Sequence, residues 1–575
     1  MEQSSVIQTT GPGRSKQAKL TELHVNVWRT DMPLSGRPLE APINIAQLLR
    51  AGVARAPDGL ALVSTAARYS WRELDRASGN LAGNLLDLGL KPGDRVASLL
   101  PNCAALIIHY LACMKSGVVG VPLNYRYMAP EIDRALAVSQ ASVLIAHGGR
   151  ERDLAGSRQV AELPHGLILH EAEAGCRPSL QDLIAKRPAQ RELPVPKASD
   201  PAFIFFTSGS TGPAKGVTHS REGLGWMFAT YAAALELTAD DVMLPASSMS
   251  HIGGFGFSFG SLAVGARTIV AHSFDSQHLL ELLRAQRPTI LWIQPMMLFQ
   301  LVRDASARRE DFRSLRHCRS GSDKVPAELA RAFADLTGML ISEGMGMTEV
   351  GVVTATPSSA MIKVGTIGQA APGVQLSIRD EAGRELPAGA EGRLWISARG
   401  LATGYLGDPV ATAAVMRGGW FDSGDIMKAD EEGYLAFCGR KKQLIVHDGS
   451  NISPQEVEDA LLQHEAVALA GVVGVPDLVH GENVHAYVAL KPGAPVPTEQ
   501  ELIGFARARV GYKAPERVEF LTEMPLNAGK IDRAALKALA AKREATAPRQ
   551  SFDASDASPV LAQGSTNAGD GPNSA

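Results

Sequence analysis

The apolar positions of this 575-residue chain fall into short runs separated by polar punctuation. "RVASLL" (95–100) and "SVLIAH" (142–147) are nearly continuous apolar runs of strand length, which predicts strands covered on both faces. "AALIIHYLACMKSG" (104–117) is too long for such a strand and predicts a helix that stops at Gly117. "AFIFF" (202–206) predicts another buried strand, after which the chain turns polar within one step. This alternation of buried strands with helices points to an α/β fold. The stretch "KRPAQRELPVPKASD" (186–200) is proline-rich and polar, and reads as a connector. No internal repeat is visible.

The pattern changes near residue 440. "SPQEVEDALL" predicts a helix start in which Ser453 caps, Pro454 takes the first helical position and Glu456 completes a capping box. "TEQE" (498–501) repeats that box. Strand-like "LAGVVGV" (469–475) and "HAYVAL" (485–490) lie between the two helices. Residues from about 441 to 540 therefore predict a small α+β domain of their own.

Composition narrows the function classes. Residues 1–20 and 546–575 are polar and poor in large apolar side chains, which predicts disorder. A net charge of −3 disfavours a dedicated nucleic-acid binder. The five cysteines lie far apart with no C-x-x-C pair, against a zinc knuckle or a disulfide framework and in favour of reduced thiols. The first 20 residues hold no apolar signal core, and no run approaches the roughly 20 apolar residues of a membrane span. A soluble, cytoplasmic protein is expected, with peripheral membrane contact left open.

The chemistry is concentrated after the 202–206 strand, in "TSGSTGPAKGV" (207–217). Thr207, Ser208, Ser210 and Thr211 offer hydroxyl donors. Gly209, Gly212 and Gly216 allow positive φ and close approach of the backbone to an anion. Lys215 adds a mobile positive charge. Such a loop suits a polyphosphate. It is not the P-loop of NTPases, G-x-x-x-x-G-K-[ST], because Ala214 precedes the lysine and Gly216 follows it.

The whole string resembles the signature loop of adenylate-forming enzymes: acyl-CoA synthetases, adenylation domains of peptide synthetases, and luciferases. The resemblance extends from about residue 45 to 540. It implies a large N-terminal domain of α/β layers with a small β-barrel subdomain (21–440), and a small mobile α+β C-terminal domain (441–545). "ISEGMGMTEVG" (341–351) resembles the second nucleotide motif. There Glu343, Gly344 and Met345 would line the nucleotide, Thr348 would contact the α-phosphate and Glu349 would bind Mg2+, as a hard oxygen ligand suits that ion. Met345 replaces the aromatic that usually stacks on adenine; a polarizable thioether can still cover a flat ring. In "WFDSGDIMK" (420–428), Asp425 would accept hydrogen bonds from the ribose hydroxyls, and Arg440 would reach the ribose or phosphate. Lys442 stands at the family's hinge, beside Gln443 where an acidic residue is common. Gly449 belongs to the loop used in the thiol step. In "PLNAGKIDRAAL" (525–536), Gly529 turns the backbone and Lys530 is the adenylation lysine.

"PASSMSHIGGFGFSFG" (245–260) resembles the substrate motif, with His251 beside the acyl carboxylate and at the thiol tunnel. Phe255, Phe257 and Phe259 fit the pocket or the core equally. "CRSGSDKVP" (318–326) passes near the adenine and acyl groups and brings in Gly321. The motif lacks the aspartate that would pair with an amino acid's ammonium, and the tail lacks a carrier domain. The resemblance thus implies a free-standing ATP-dependent acid–CoA ligase using ATP, Mg2+ and CoA, a monomer or homodimer with no nucleic-acid partner. A medium- or long-chain fatty acid is the expected substrate. The alternatives are an aromatic acid, an acyl-AMP ligase that loads a carrier protein or an amine, and a catalytically decayed nucleotide-binding regulator.

Overall fold

The predicted helix over 104–117 forms as Ala104–Ser116, buried on nearly every side, and ends at Gly117 with φ +81°. Only a residue without a Cβ takes that left-handed conformation cheaply. Against it packs the amphipathic helix Trp71–Asp87, started by a capping box in which Ser70 and Glu73 satisfy each other's backbone N–H. In the computed structural model, which describes residues 34–172, 179–189, 192–207, 215–322, 325–356, 360–440, 443–447, 450–477, 481–527 and 530–546, such helices cover two seven-stranded sheets. The termini expected to be disordered lie outside the described residues, apart from the end of the last helix.

One sheet runs Gly404–Tyr405, Gly216–Ser220, Pro201–Phe206, Val119–Pro122, Arg95–Leu99, Val143–His147, Leu167–His170. Its five strands from Pro201–Phe206 onward are parallel, and the first two are antiparallel additions. The other runs Ser342–Gly344, His317–Gly321, Ile290–Ile293, Val242–Ala246, Arg267–Ile269, Leu60–Val63, Arg68–Ser70, and only its last pairing is antiparallel. Parallel strands buried on both faces explain the unbroken apolar runs in the sequence. Where the small barrel subdomain is expected stands a five-stranded antiparallel sheet. In it, Val374–Arg379, Gly392–Ala398 and Trp420–Ala429 lie in order, with Met416–Arg417 and Leu435–Arg440 both paired to Trp420–Ala429.

The chain divides into two units. The first takes in the chain to Leu444 with Ser453–Glu456 and Lys530, and the second takes Ile445–Ile452, Val457–Asn527 and the chain from Ile531. The second unit has its own sheet, in which Gly481–Leu490 pairs antiparallel with Val467–Asp477 and parallel with Arg517–Phe520. The capping box at Thr498 and Glu501 forms as expected, starting Glu499–Val510. The box at Ser453 does not form. Its hydroxyl is buried without a hydrogen-bond partner, and the Glu456 N–H is taken by the Ser453 carbonyl instead at 3.1 Å. A serine at a helix start caps only when χ1 aims its oxygen at the first turn, which spacing along the chain cannot specify. Among the described residues, no helix is long and apolar enough to cross a membrane, and Cys103, Cys113, Cys318 and Cys438 are free thiols.

Candidate active site

The phosphate-cradle string begins where the buried strand Pro201–Phe206 ends. Thr207 and Lys215 hold the neck of this loop. The Thr207 N–H donates to the Lys215 carbonyl at 3.1 Å, and the Lys215 N–H donates to the Thr207 hydroxyl at 3.3 Å. The candidates Ser208, Gly209, Ser210 and Thr211 lie outside the described residues. Gly216 opens the returning strand. A Cβ there would come within 3.1 Å of Ile204 and 3.4 Å of Leu406, so this glycine answers to close packing.

The Lys215 ammonium stands 4.6 Å from the ring centre of Tyr405. The Tyr405 hydroxyl in turn donates to Glu349 Oε1 at 2.9 Å. Glu349 is buried. Burial pushes its carboxyl above the usual range, opposed by Tyr405, Arg440 and Lys215. Burial, together with the Glu349 charge, pushes the Tyr405 phenol well up, so this hydroxyl stays a donor at neutral pH. The turn carrying Thr348 and Glu349 is held from beneath. His219 Nε2 donates to the Thr348 carbonyl at 2.8 Å, and burial holds that imidazole neutral, with a pKa down at about 4. Tyr405 and His219 were not among the sequence candidates. Tyr405 in "LATGYLGDP" and His219 in "GVTHS" each follow a glycine by one to three residues, a signal too common to select them.

Asp425 and Arg440 face each other across the paired strands Trp420–Ala429 and Leu435–Arg440. Arg440 Nε donates to Asp425 Oδ1 at 2.7 Å, while Oδ2 is buried with no partner. Burial raises the Asp425 pKa, with Arg440 opposing. A buried carboxylate oxygen without a donor is rare and costly, and a sugar diol supplies donors of the right kind. Met345 is half-buried against the apolar cluster of the first unit, with its N–H on the Thr354 hydroxyl at 2.9 Å. Glu343 accepts from the Val325 N–H at 3.1 Å. Gly344 is held as glycine by the guanidinium of Arg319, which occupies the place of a Cβ.

No described group of three or more His, Cys, Asp or Glu could hold a metal by itself. On the role expected from the sequence, Glu349 would hold a Mg2+ ion together with phosphate oxygens and water. That ligand set suits an ion that keeps several waters and takes few protein carboxylates.

At the acid end, His251 immediately precedes the helix Ile252–Ala263, and burial lowers its pKa. Phe255 and Phe259 turn into the core with Tyr110 and Phe228, whereas Phe257 packs on Trp292. Gly321 ends the strand His317–Gly321. A Cβ there would meet the Gly344 carbonyl and stand 3.0 Å from Trp292. Lys530 is exposed and opens the two-residue strand Lys530–Ile531. The hinge candidate Lys442, the thiol-step candidate Gly449 and the turn residue Gly529 lie outside the described residues.

Known proteins resemble this chain in sequence and fold. Residues 49–406 match the model of the AMP-binding enzyme family, and residues 456–530 match that of the AMP-binding enzyme C-terminal domain. The chain is 34% identical over 481 residues to a feruloyl-CoA synthase of Amycolatopsis sp., covering 83% of this chain and 95% of that one. It is 30% identical over 546 residues to the long-chain-fatty-acid–CoA ligase of Bacillus subtilis, covering 88% and 96%. The ATP-bound crystal structure of MatB from Rhodopseudomonas palustris superposes with a TM-score of 0.81 at 28% identity, covering 87% of this chain and 99% of MatB. The chain belongs to the AMP-binding enzyme family and, within it, to the AMP-forming acyl-CoA ligases.

Proposed function

We propose that the residues gathered in the first unit hold ATP for attack by a carboxylate, and that Lys530 serves the bond being made. The acyl-CoA ligases of this family use ATP, CoA and Mg2+. In the first half-reaction a carboxylate oxygen attacks the α-phosphorus. The bond to the β-phosphate oxygen breaks, and pyrophosphate leaves with its electron pair. The attacking carboxylate is already ionised at neutral pH, so no general base is required. The barrier lies in bringing two anions together, which positioning and charge neutralisation overcome.

The observation that carries this reading is the unpartnered Asp425 Oδ2 beside Arg440. Asp425 accepts from the ribose hydroxyls while Arg440 keeps its carboxylate ionised. Glu349, oriented by Tyr405 and by the His219-supported turn, offers the one carboxylate for Mg2+, which when bound neutralises charge on the phosphate oxygens. Lys215 draws the departing pyrophosphate, and Thr348 steadies the α-phosphate. In the second half-reaction the thiolate sulfur of CoA attacks the acyl carbon, AMP leaves, and the thiol proton passes to solvent. The hinge at Lys442 and the loop at Gly449 serve that step.

Pyrophosphate release across a panel of acids, with and without CoA, tests the reading. Acid-dependent release with CoA-dependent formation of acyl-CoA and AMP is expected. Acid-dependent release with no acyl-CoA would make the chain an acyl-AMP ligase for another acceptor. No acid-dependent release would leave the decayed nucleotide-binding regulator. As to the acid, the medium- or long-chain fatty acid expected from the sequence and its aromatic alternative both find support among the relatives, a long-chain-fatty-acid–CoA ligase and a feruloyl-CoA synthase.

A further inference from the structure

The chain just after Lys530 is fixed at three successive residues. Ile531 packs into an apolar cluster with Met524 and Leu536, in a notch that Gly471 leaves open. A Cβ on Gly471 would come within 2.8 Å of Ile531 and 2.6 Å of Leu536. The Asp532 N–H donates to the Pro525 carbonyl at 2.9 Å, which closes the hairpin formed by Leu526–Asn527 and Lys530–Ile531. Asp532 then caps the helix Arg533–Thr546, its Oδ1 accepting from the Ala535 N–H at 3.0 Å. Arg533 is the first residue of that helix, three after Lys530.

A cation in the first turn of a helix meets the positive end of its dipole, and no acidic residue shares that turn with Arg533. The counter-charge comes from Glu458, 75 residues earlier, in the helix Pro454–Leu461. Glu458 is 3% exposed. Arg533 Nη2 donates to both of its oxygens at 2.6 Å. Oε1 also accepts at 2.8 Å from the N–H of Val472, in the strand Val467–Asp477 that ends the order of its sheet among the described residues. Val457 and Leu461 pack with Val472 in one apolar cluster, whereas Val473 packs with Leu536 in another. Successive strand residues point to opposite faces, so the Glu458–Arg533 pair joins the two faces of the sheet around its edge. An apolar pair of the same volume would hold the two helices together at least as stably, since both charges must lose water. What the ion pair adds is direction. Its charge-assisted hydrogen bonds fix where Arg533 stands and how the start of its helix is turned.

We propose that Glu458 and Arg533 are positioning residues for Lys530, fixing the helix start that carries the lysine's strand so that its ammonium is presented in one place during adenylation. Both act through the lysine and not on the reacting atoms. This inference rests on the reading above of Lys530 as the adenylation lysine. It goes further by naming the side chains that place it. The thiol half-reaction, which does not use Lys530, does not need the pair.

The test compares the full chain with its Glu458→Gln, Arg533→Met and Arg533→Lys variants, and with Lys530→Ala as the reference. The two half-reactions are read separately: pyrophosphate release with the acid of the panel that releases most, and thioester formation from the matching acyl-adenylate supplied with CoA. Thermal melting verifies folding. Glu458→Gln and Arg533→Met should slow pyrophosphate release by about 10- to 100-fold, with thioester formation and KM for ATP within about twofold of the unaltered protein. Arg533→Lys keeps the charge and should lose less than Arg533→Met. Should a single variant fail to fold, the double variant Glu458→Leu/Arg533→Met, which leaves no charge unpaired, takes its place with the same split expected. Equal losses in both half-reactions, or undiminished pyrophosphate release, in the folded variants would overturn the positioning role. If Lys530→Ala still slows pyrophosphate release alone, the reading of Lys530 stands without it. Undiminished release by Lys530→Ala, or no pyrophosphate from any acid, would overturn that reading and this inference together.

Discussion

The nucleotide end and the acid end of the site are built by different means. At the expected nucleotide end, charged and polar side chains from five separate strand-and-turn segments meet in pairs. These are Asp425 with Arg440, Glu349 with Tyr405, and Lys215 above the Tyr405 ring. Each is defined by a group it must donate to or accept from, so residue type matters more than exact shape. At the expected acid end, apolar rings pack instead, with Phe257 and the backbone around Gly321 against Trp292. There shape and packing, rather than charge, set the arrangement.

Perturbations should therefore act differently at the two ends. The largest effect is expected from Lys530→Ala, which should slow acid-dependent pyrophosphate release by about 100- to 1,000-fold. Thioester formation from supplied acyl-adenylate should stay near the level of the unaltered protein. Equal loss in both half-reactions would remove Lys530 from its role in adenylation. Asp425→Ala comes next. It strips the buried acceptor and leaves Arg440 without its carboxylate, so KM for ATP should rise by about 10- to 100-fold, with the order of acid preference unchanged. A changed acid order would mean that the two ends are coupled.

Tyr405→Phe should cost about fivefold in kcat/KM. The Tyr405 hydrogen bond lowers the Glu349 pKa against the effect of burial. Removing it raises that pKa further, so the acidic limb of the pH–rate profile should shift to higher pH. An unshifted limb would show that Glu349 does not govern it.

The smallest effect on catalysis is expected at Asp241, which precedes the strand Val242–Ala246. Burial opposes ionisation of Asp241. Hydrogen bonds from Arg316, the Thr238 backbone and the Thr289 hydroxyl outweigh it, and hold the carboxyl at about 2 against an ordinary 3.8. A depressed folded-state pKa gives stability that is present above the unfolded value and lost as pH falls through the folded one. Asp241→Asn should thus lower unfolding free energy by about 2 kcal/mol near neutral pH, with the gap closing between about pH 4 and pH 2. Denaturant titrations at several pH values would measure it, and acid preference should not move.

Legibility in the sequence followed the same division. Lys215, Glu349, Asp425 and Arg440 could be named as candidates because phosphate, metal and ribose chemistry admits few residue types, and those types sit in ordered motifs. The helix at 104–116 and the strand at 201–206 were readable because burial on both faces leaves unbroken apolar runs. Tyr405 and His219 were not readable. One acts through its hydroxyl on Glu349 and the other through a ring nitrogen on the Thr348 carbonyl, contacts made across more than 50 and more than 120 residues of chain. The capping box anticipated at Ser453 failed because its hydroxyl points into the protein without a partner.

By itself the sequence determined the alternation of buried strands and helices and the family. Periodicity and residue chemistry are local properties that survive without coordinates. The tertiary structure alone decided that the Tyr405 hydroxyl donates to Glu349 and that His219 holds the Thr348 carbonyl. Such a hydrogen bond is a relation between groups on separate elements, and their spacing along the chain carries no record of who faces whom.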